Sequence, residues 1–308
     1  MTRSTDVRIS SNGATLAGTL HFPDGSGPHP ALVMLQGSGP EDRDSGGYFP
    51  PIRGCFLAAG LAVLSWDKPG IGESTGDWTQ CTFGDRSDEA LTTLTWLRQC
   101  DQIDAERTGI WGHSQGGWIG PMTAARDRDV SFLIVNSGPG VDVIEQDLFG
   151  VEHTLRQDGA SDADVLQARA YMTRIHEAAS GGMSHEVFVA SVMEPARGTP
   201  GFDYFGEVDE GLWGFLVRNM REVYDPMPSL ERISCPVLAI FGEKDALVPV
   251  AKSVRIFEDA FAKAGNDDVT IEVFPGADHR IGVGDPSGFA DGYLDTMASW
   301  LRARVELR

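Results

Sequence analysis

The chain has 308 residues, 41% of them hydrophobic, enough for one large α/β domain or a domain with a substantial insertion. A formal net charge of −20 repels nucleic-acid backbones and anionic membranes, so neither is an expected partner. Residues 1–6 lack the apolar core of a signal peptide, and no apolar run reaches the length of a membrane span. Cys55, Cys81, Cys100 and Cys235 are scattered without C-x-x-C spacing, so free thiols in a reducing cytoplasm are expected.

Val7-Arg8-Ile9 and residues 14–22 straddle Ser11-Asn12-Gly13, which predicts an antiparallel hairpin. Residues 31–35 are continuously apolar, the pattern of a strand buried on both faces. They run into Gln36-Gly37-Ser38-Gly39-Pro40-Glu41-Asp42-Arg43-Asp44. A glycine-rich loop at a strand's carboxyl end can bring backbone N–H groups close to a ligand. Residues 48–59 suit a helix with Pro50 and Pro51 in its first turn. Residues 61–66 form the next buried strand and end in Asp67-Lys68-Pro69-Gly70-Ile71-Gly72-Glu73-Ser74. Between 85 and 99, Ala90, Leu91, Leu94 and Leu97 recur at helical spacing.

The short apolar run Thr108-Gly109-Ile110-Trp111 leads into Gly112-His113-Ser114-Gln115-Gly116-Gly117, and residues 118–125 can continue as a helix. G-x-S-x-G at a strand-to-helix junction is the pattern of a nucleophile elbow. Its serine needs a tight, strained turn, and glycines at 112 and 116 remove Cβ atoms that would collide there. The helix N-terminus behind it offers unpaired N–H groups to an oxyanion. A buried strand over 130–136 follows. Strands alternating with helices imply an α/β fold, a doubly wound and mostly parallel sheet.

The alternation stops for roughly a hundred residues, too many for a plain loop. Ile144, Leu148, Val151 and Leu155 share one helical face, and Ser161 with Asp164 resembles a capping box before Val165, Ala168, Met172 and Ile175. This places a helical lid at 138–232, inserted after the sixth core strand of a domain made of 1–137 and 233–308. Its aromatics include Phe205 and Trp213, and with Gln36 these are candidates for the substrate pocket. The strand–helix pattern resumes with strands at 236–241 and 269–274, a helix over 250–264 between them, and a last helix carrying Phe289, Tyr293, Met297 and Leu301.

A serine hydroxyl needs an imidazole to take its proton and a carboxylate to orient that imidazole. Asp245 follows the penultimate strand and His279 the last, giving the order Ser114, Asp245, His279. Oxyanion donors are expected at the backbone N–H of Gln115 and of Gly37 or Ser38. His113 lies inside the elbow and reads as structural, and Asp278 neighbours His279 too closely in sequence to orient it well. His21, His29, His153, His176 and His185 have no partners at ligand spacing.

Gly112-His113-Ser114-Gln115-Gly116, Asp67-Lys68-Pro69-Gly70-Ile71-Gly72-Glu73-Ser74, Phe241-Gly242-Glu243-Lys244-Asp245 and Gly276-Ala277-Asp278-His279 resemble the α/β-hydrolase superfamily across nearly the whole chain. The stretch from Gln36 to Asp44 resembles one bacterial esterase subgroup with a Gly-Ser-Gly-Pro loop, where a histidine usually replaces Gln36. The resemblance implies a serine esterase that hydrolyses carboxylic esters with neither cofactor nor metal. It also makes Asp142, after the sixth strand, an alternative place for the acid. A lactone, thioester, amide or carbon–carbon substrate for the same triad, or a ligand receptor of this fold with little turnover, remain alternatives. The sequence assigns no role to Asp42, Arg43 or Asp44, and leaves the natural substrate and homo-oligomerisation open.

Overall fold

The computed structural model describes residues 3–284 and 288–305. Residues 1–2, 285–287 and 306–308, which the sequence assigns to the core domain, lie outside the described residues. The hairpin forms as expected, β1 (Arg3–Ser11) against β2 (Ala14–Phe22). Asn12 and Gly13 make its two-residue turn with φ of 47° and 79°, the left-handed values such a turn demands.

Strands and helices then alternate: β3 (His29–Leu35), α1 (Phe49–Ala58), β4 (Ala62–Trp66), α2 (Phe83–Arg98), β5 (Ile103–His113), α3 (Gly116–Ala124) and β6 (Leu133–Asn136). After the insertion come β7 (Val237–Gly242), α11 (Val250–Ala264), β8 (Val269–Phe274) and α12 (Tyr293–Val305). The eight strands lie in the order β1-β2-β4-β3-β5-β6-β7-β8, parallel from β4 onward. Successive side chains of a strand face opposite sides, so β3 sends Val33 and Leu35 to one apolar cluster and Leu32 and Met34 to another. The first cluster takes in α2, α3 and α11; the second takes in α1 and α12. Burial of both faces is why β3, β4, β6 and β7 read as unbroken apolar runs.

Three of the boundaries that differ from expectation have a clear physical cause. β5 is longer than the apolar run 108–111, because it also pairs Ile103 with His29 across a register shift. Its charged residues, Asp104, Glu106 and Arg107, hide that extension in the sequence. β6 starts at Leu133, since Ser131 N–H bonds to Thr108 O outside the ladder. Phe289 belongs to a two-residue strand, β10 (Gly288–Phe289), paired with β9 (Gly282–Val283), so the last helix begins only at Tyr293.

The helices between β6 and β7 are α4 (Val143–Gln157), α5 (Asp162–Ser180), α6 (His185–Phe188), α7 (Glu194–Ala196), α8 (Pro200–Phe205), α9 (Glu210–Met220) and α10 (Met227–Leu230). Ser161 and Asp164 form the expected capping box at the start of α5. Val151, Val165, Ile175, Phe188, Trp213 and Met220 belong to the same apolar cluster as the sheet face carrying Val33 and Leu35. Phe83 N–H donates to Asn219 Oδ1 at 3.0 Å, and Gln146 Nε2 to Leu247 O at 3.1 Å. The insertion is therefore packed onto the sheet by one continuous core. Among the described residues Cys55, Cys81 and Cys100 are free thiols, and no helix is long and apolar enough to cross a membrane.

Candidate active site

The sheet changes winding direction between β3 and β5, and a ligand crevice opens outside the carboxyl ends of strands at such a point. Leu35 pairs with Gly112, so the chain just beyond each strand end emerges side by side. A Cβ built on Gly37 would lie 3.4 Å from Ser114 Cβ. Ser114 has φ of +54°, the strained left-handed conformation of an elbow. Its N–H is held by Asn136 O at 3.0 Å, and its carbonyl accepts from Gly117 N at 2.7 Å. A Cβ on Gly112 would collide with Gly116 O, and one on Gly116 with Leu35 O. Both glycines are thus dictated by backbone approach.

Asp245 lies three residues beyond the end of β7 and His279 five beyond β8. His279 Nδ1 stands 2.7 Å from Asp245 Oδ2. The other carboxylate oxygen accepts from Leu247 N at 2.8 Å and Val248 N at 2.9 Å, and the Asp245 side chain is fully buried. These contacts leave Asp245 one orientation, facing the imidazole. The rival acids are engaged elsewhere. Asp142 caps α4 through Glu145 N at 2.9 Å, and Asp278 accepts from Arg280 N and Gly282 N, both at 2.8 Å.

His113 is buried below the site, its ring 4.8 Å from that of Tyr48 and 5.0 Å from that of His279. Its Nδ1 meets Asn136 Nδ2 at 3.1 Å. Asn136 Oδ1 accepts from Tyr293 OH at 2.7 Å, and Tyr48 OH donates to Arg280 O at 3.1 Å. Burial raises the pKa of both tyrosines well above 10, so they remain neutral donors. This buried network ties the strand end of β6 to the residue after His279. Its members are single polar residues in apolar runs, and only the position of Asn136 at a strand's carboxyl end hinted at it.

The loop after β3 is held from the turn after β4. Arg43 donates to Asp67 through Nε at 3.0 Å, Nη2 at 2.7 Å and its backbone N–H at 2.8 Å. Burial alone would raise the Asp67 pKa, but hydrogen bonds from Arg43 and from Glu73 N–H leave it below 3.8. Asp42 Oδ1 accepts from Asp44 N at 3.0 Å, and Asp44 pairs with Arg53 at 2.6 Å. The three charged residues without an assigned role thus shape this loop. Gln36, a candidate for the pocket, is buried, its Nε2 bonded to Trp66 O and its Oε1 3.4 Å from Arg86 Nη2. Trp213, also proposed for the pocket, stacks on Phe188 at 3.9 Å and donates to Met183 O at 2.9 Å, inside the insertion. Phe205 is half-buried at the end of α8. No group of three His, Cys, Asp or Glu side chains among the described residues could hold a metal ion.

Among the described residues, no hydrogen bond is donated by the backbone N–H of Gly37, Ser38 or Gln115. A mostly parallel sheet with an elbow serine, and an Asp–His pair on the following strand ends, defines the α/β-hydrolase class. The model of the alpha/beta hydrolase family matches residues 32–292, and the chain belongs to that family. It is 26% identical over 303 residues to the monoacylglycerol lipase of Mycolicibacterium smegmatis, covering 97% of each chain. It is 25% identical over 312 residues to esterase EstD of Thermotoga maritima, covering 95% of this chain and 66% of that one. In structure it is similar to the Pyrococcus furiosus esterase Pf2001, with a TM-score of 0.67, 17% identity, and coverage of 98% of this chain and 92% of that one.

Proposed function

We propose that the protein is a serine hydrolase that cleaves carboxylic esters of a small molecule through an acyl-enzyme. The observation that carries this reading is the 2.7 Å contact between His279 Nδ1 and Asp245 Oδ2, beside an elbow serine at φ +54°. With Nδ1–H given to Asp245, the imidazole keeps Nε2 as a base. Nε2 takes the Ser114 proton as Oγ attacks the ester carbonyl, then returns it to the departing alkoxide. Water repeats the cycle on the acyl-enzyme and releases the acid. The N–H groups of Gln115 and of Gly37 or Ser38 are donors to the tetrahedral oxyanion, an assignment favoured by their having no other acceptor among the described residues. Relatives named as an esterase and a lipase support the ester bond over the alternatives.

The test combines labelling and turnover. A fluorophosphonate should modify Ser114 stoichiometrically, and p-nitrophenyl esters of increasing chain length should be hydrolysed. Ser114→Ala should abolish labelling and lower kcat by roughly 10⁴-fold or more without unfolding the protein. Ordinary turnover in that variant would remove Ser114 from the mechanism.

A further inference from the structure

Lys68 follows β4 by two residues, yet its side chain turns inward and is only 1% exposed. A buried ammonium is costly unless its protons are taken up. Here Nζ donates to Gly39 O at 2.7 Å and to Gly37 O, both in the loop after β3. Burial, with Arg86 adding to it, pushes the pKa down to about 7, while Glu41, Glu89 and Cys81 act in the opposite direction.

Gly37 O and Ser38 N are the two ends of one peptide group. A trans peptide sets its C=O and N–H on opposite sides of one plane, so a cation at Gly37 O decides where Ser38 N–H points. It also polarises the group and strengthens that N–H as a donor. Glycine at 37 has no side chain with which to hold the peptide, and a Cβ there would stand in ordinary contact with Ser114 Cβ at 3.4 Å and Glu41 Oε1 at 3.6 Å. The orientation is imposed from outside the loop.

We propose that Lys68 is a positioning residue, whose buried side chain holds the Gly37–Ser38 peptide so that Ser38 N–H faces the oxyanion formed at Ser114. This rests on the reading of Ser114 as nucleophile. It selects Ser38 over Gly37 as the second donor. Arg43 and Gln36 brace other parts of the loop, and Lys68 grips the peptide that carries the donor.

The test uses the full chain with Lys68→Met, which keeps most of the length and removes the donor. On a p-nitrophenyl ester, kcat should fall about 10–100-fold while KM stays within about threefold. Affinity for an aryl trifluoromethyl ketone, which adds to a serine as a tetrahedral oxyanion, should fall in step with kcat. An unchanged kcat, or a loss in kcat without loss of ketone affinity, would overturn the role of Lys68. Ser114→Ala separates the two ideas, since retained turnover there would sink the nucleophile assignment itself. Should Lys68→Met fail to fold, the wild-type protein decides. It has four lysines (Lys68, Lys244, Lys252 and Lys263), so the isotope-labelled Lys68 Nζ can be followed by NMR. Formation of the ketone adduct should raise its titration midpoint from about 7, because a negative charge relayed through the peptide favours the ammonium. A midpoint that does not move would overturn the proposal.

Discussion

The ring of His113 lies 5.0 Å from that of His279, centroid to centroid, with the two planes tilted by 48°. Burial, followed by the charges of His279 and Arg280, holds the His113 pKa well below 6.5. His279 therefore keeps an uncharged aromatic neighbour throughout the working pH range. The unfolded chain would protonate the His113 imidazole below about pH 6.5, whereas the folded chain would not. The unfolded state then binds more protons, so this stability is complete above about 6.5 and is lost as pH falls. His21, pushed down to about 4 by burial and Arg53, adds a term of the same sign between about 6.5 and 4. The melting temperature should thus drop from about pH 7 to about pH 4.5, and less steeply in His113→Asn, which keeps an acceptor for Asn136 but cannot titrate. An identical slope in that variant would exclude His113 as a contributor.

Asp245→Asn should lower kcat by roughly 10³–10⁴-fold, since an amide opposite Nδ1 favours the wrong imidazole tautomer. Asp142→Asn keeps a competent helix cap, and Asp278→Asn keeps an acceptor for its turn, so both should stay within about threefold of wild type. Steady-state kinetics on one p-nitrophenyl ester compares all three. A large loss confined to Asp142→Asn would move the acid to the end of β6.

Breaking the Arg43–Asp67 pair should destabilise the fold more than a surface ion pair would. The Asp67 side chain is 4% exposed and that of Arg43 18%, so Asp67→Asn takes the buried carboxylate from the guanidinium and leaves it only the exposed acids Glu73, at 3.2 Å, and Asp6, at 3.8 Å. About 3 kcal/mol is expected from urea unfolding. A change below about 0.5 kcal/mol would place this pair among those worth nothing measurable.

Trp213→Ala should act through the insertion's packing. Removing an indole stacked at 3.9 Å on Phe188 leaves a cavity and an unpaired Met183 carbonyl. A loss of about 3–5 kcal/mol should lower the melting temperature and depress all ester substrates alike. Phe205→Ala, at a half-buried position, should instead re-rank esters several-fold in kcat/KM, in keeping with about 1–3 kcal/mol per pocket contact. Re-ranking by Trp213→Ala without a fall in melting temperature would put the indole on the pocket wall.

Much of this protein was legible in its sequence because the relevant patterns are local. Unbroken apolar runs mark strands buried on both faces, and turn residues at their carboxyl ends mark where Ser114, Asp245 and His279 emerge. Asn12-Gly13 and the Ser161–Asp164 box encode a hairpin turn and a helix start within four residues. Only the tertiary structure decided which acid faces His279, because Asp142, Asp245 and Asp278 differ in their hydrogen-bond partners and not in type. It likewise turned Lys68 inward to Gly37 and Gly39, paired Arg43 with Asp67, and buried Gln36 and Trp213. Those contacts join residues about 24 to 50 positions apart, and their geometry exists only once the sheet has brought the strand ends together.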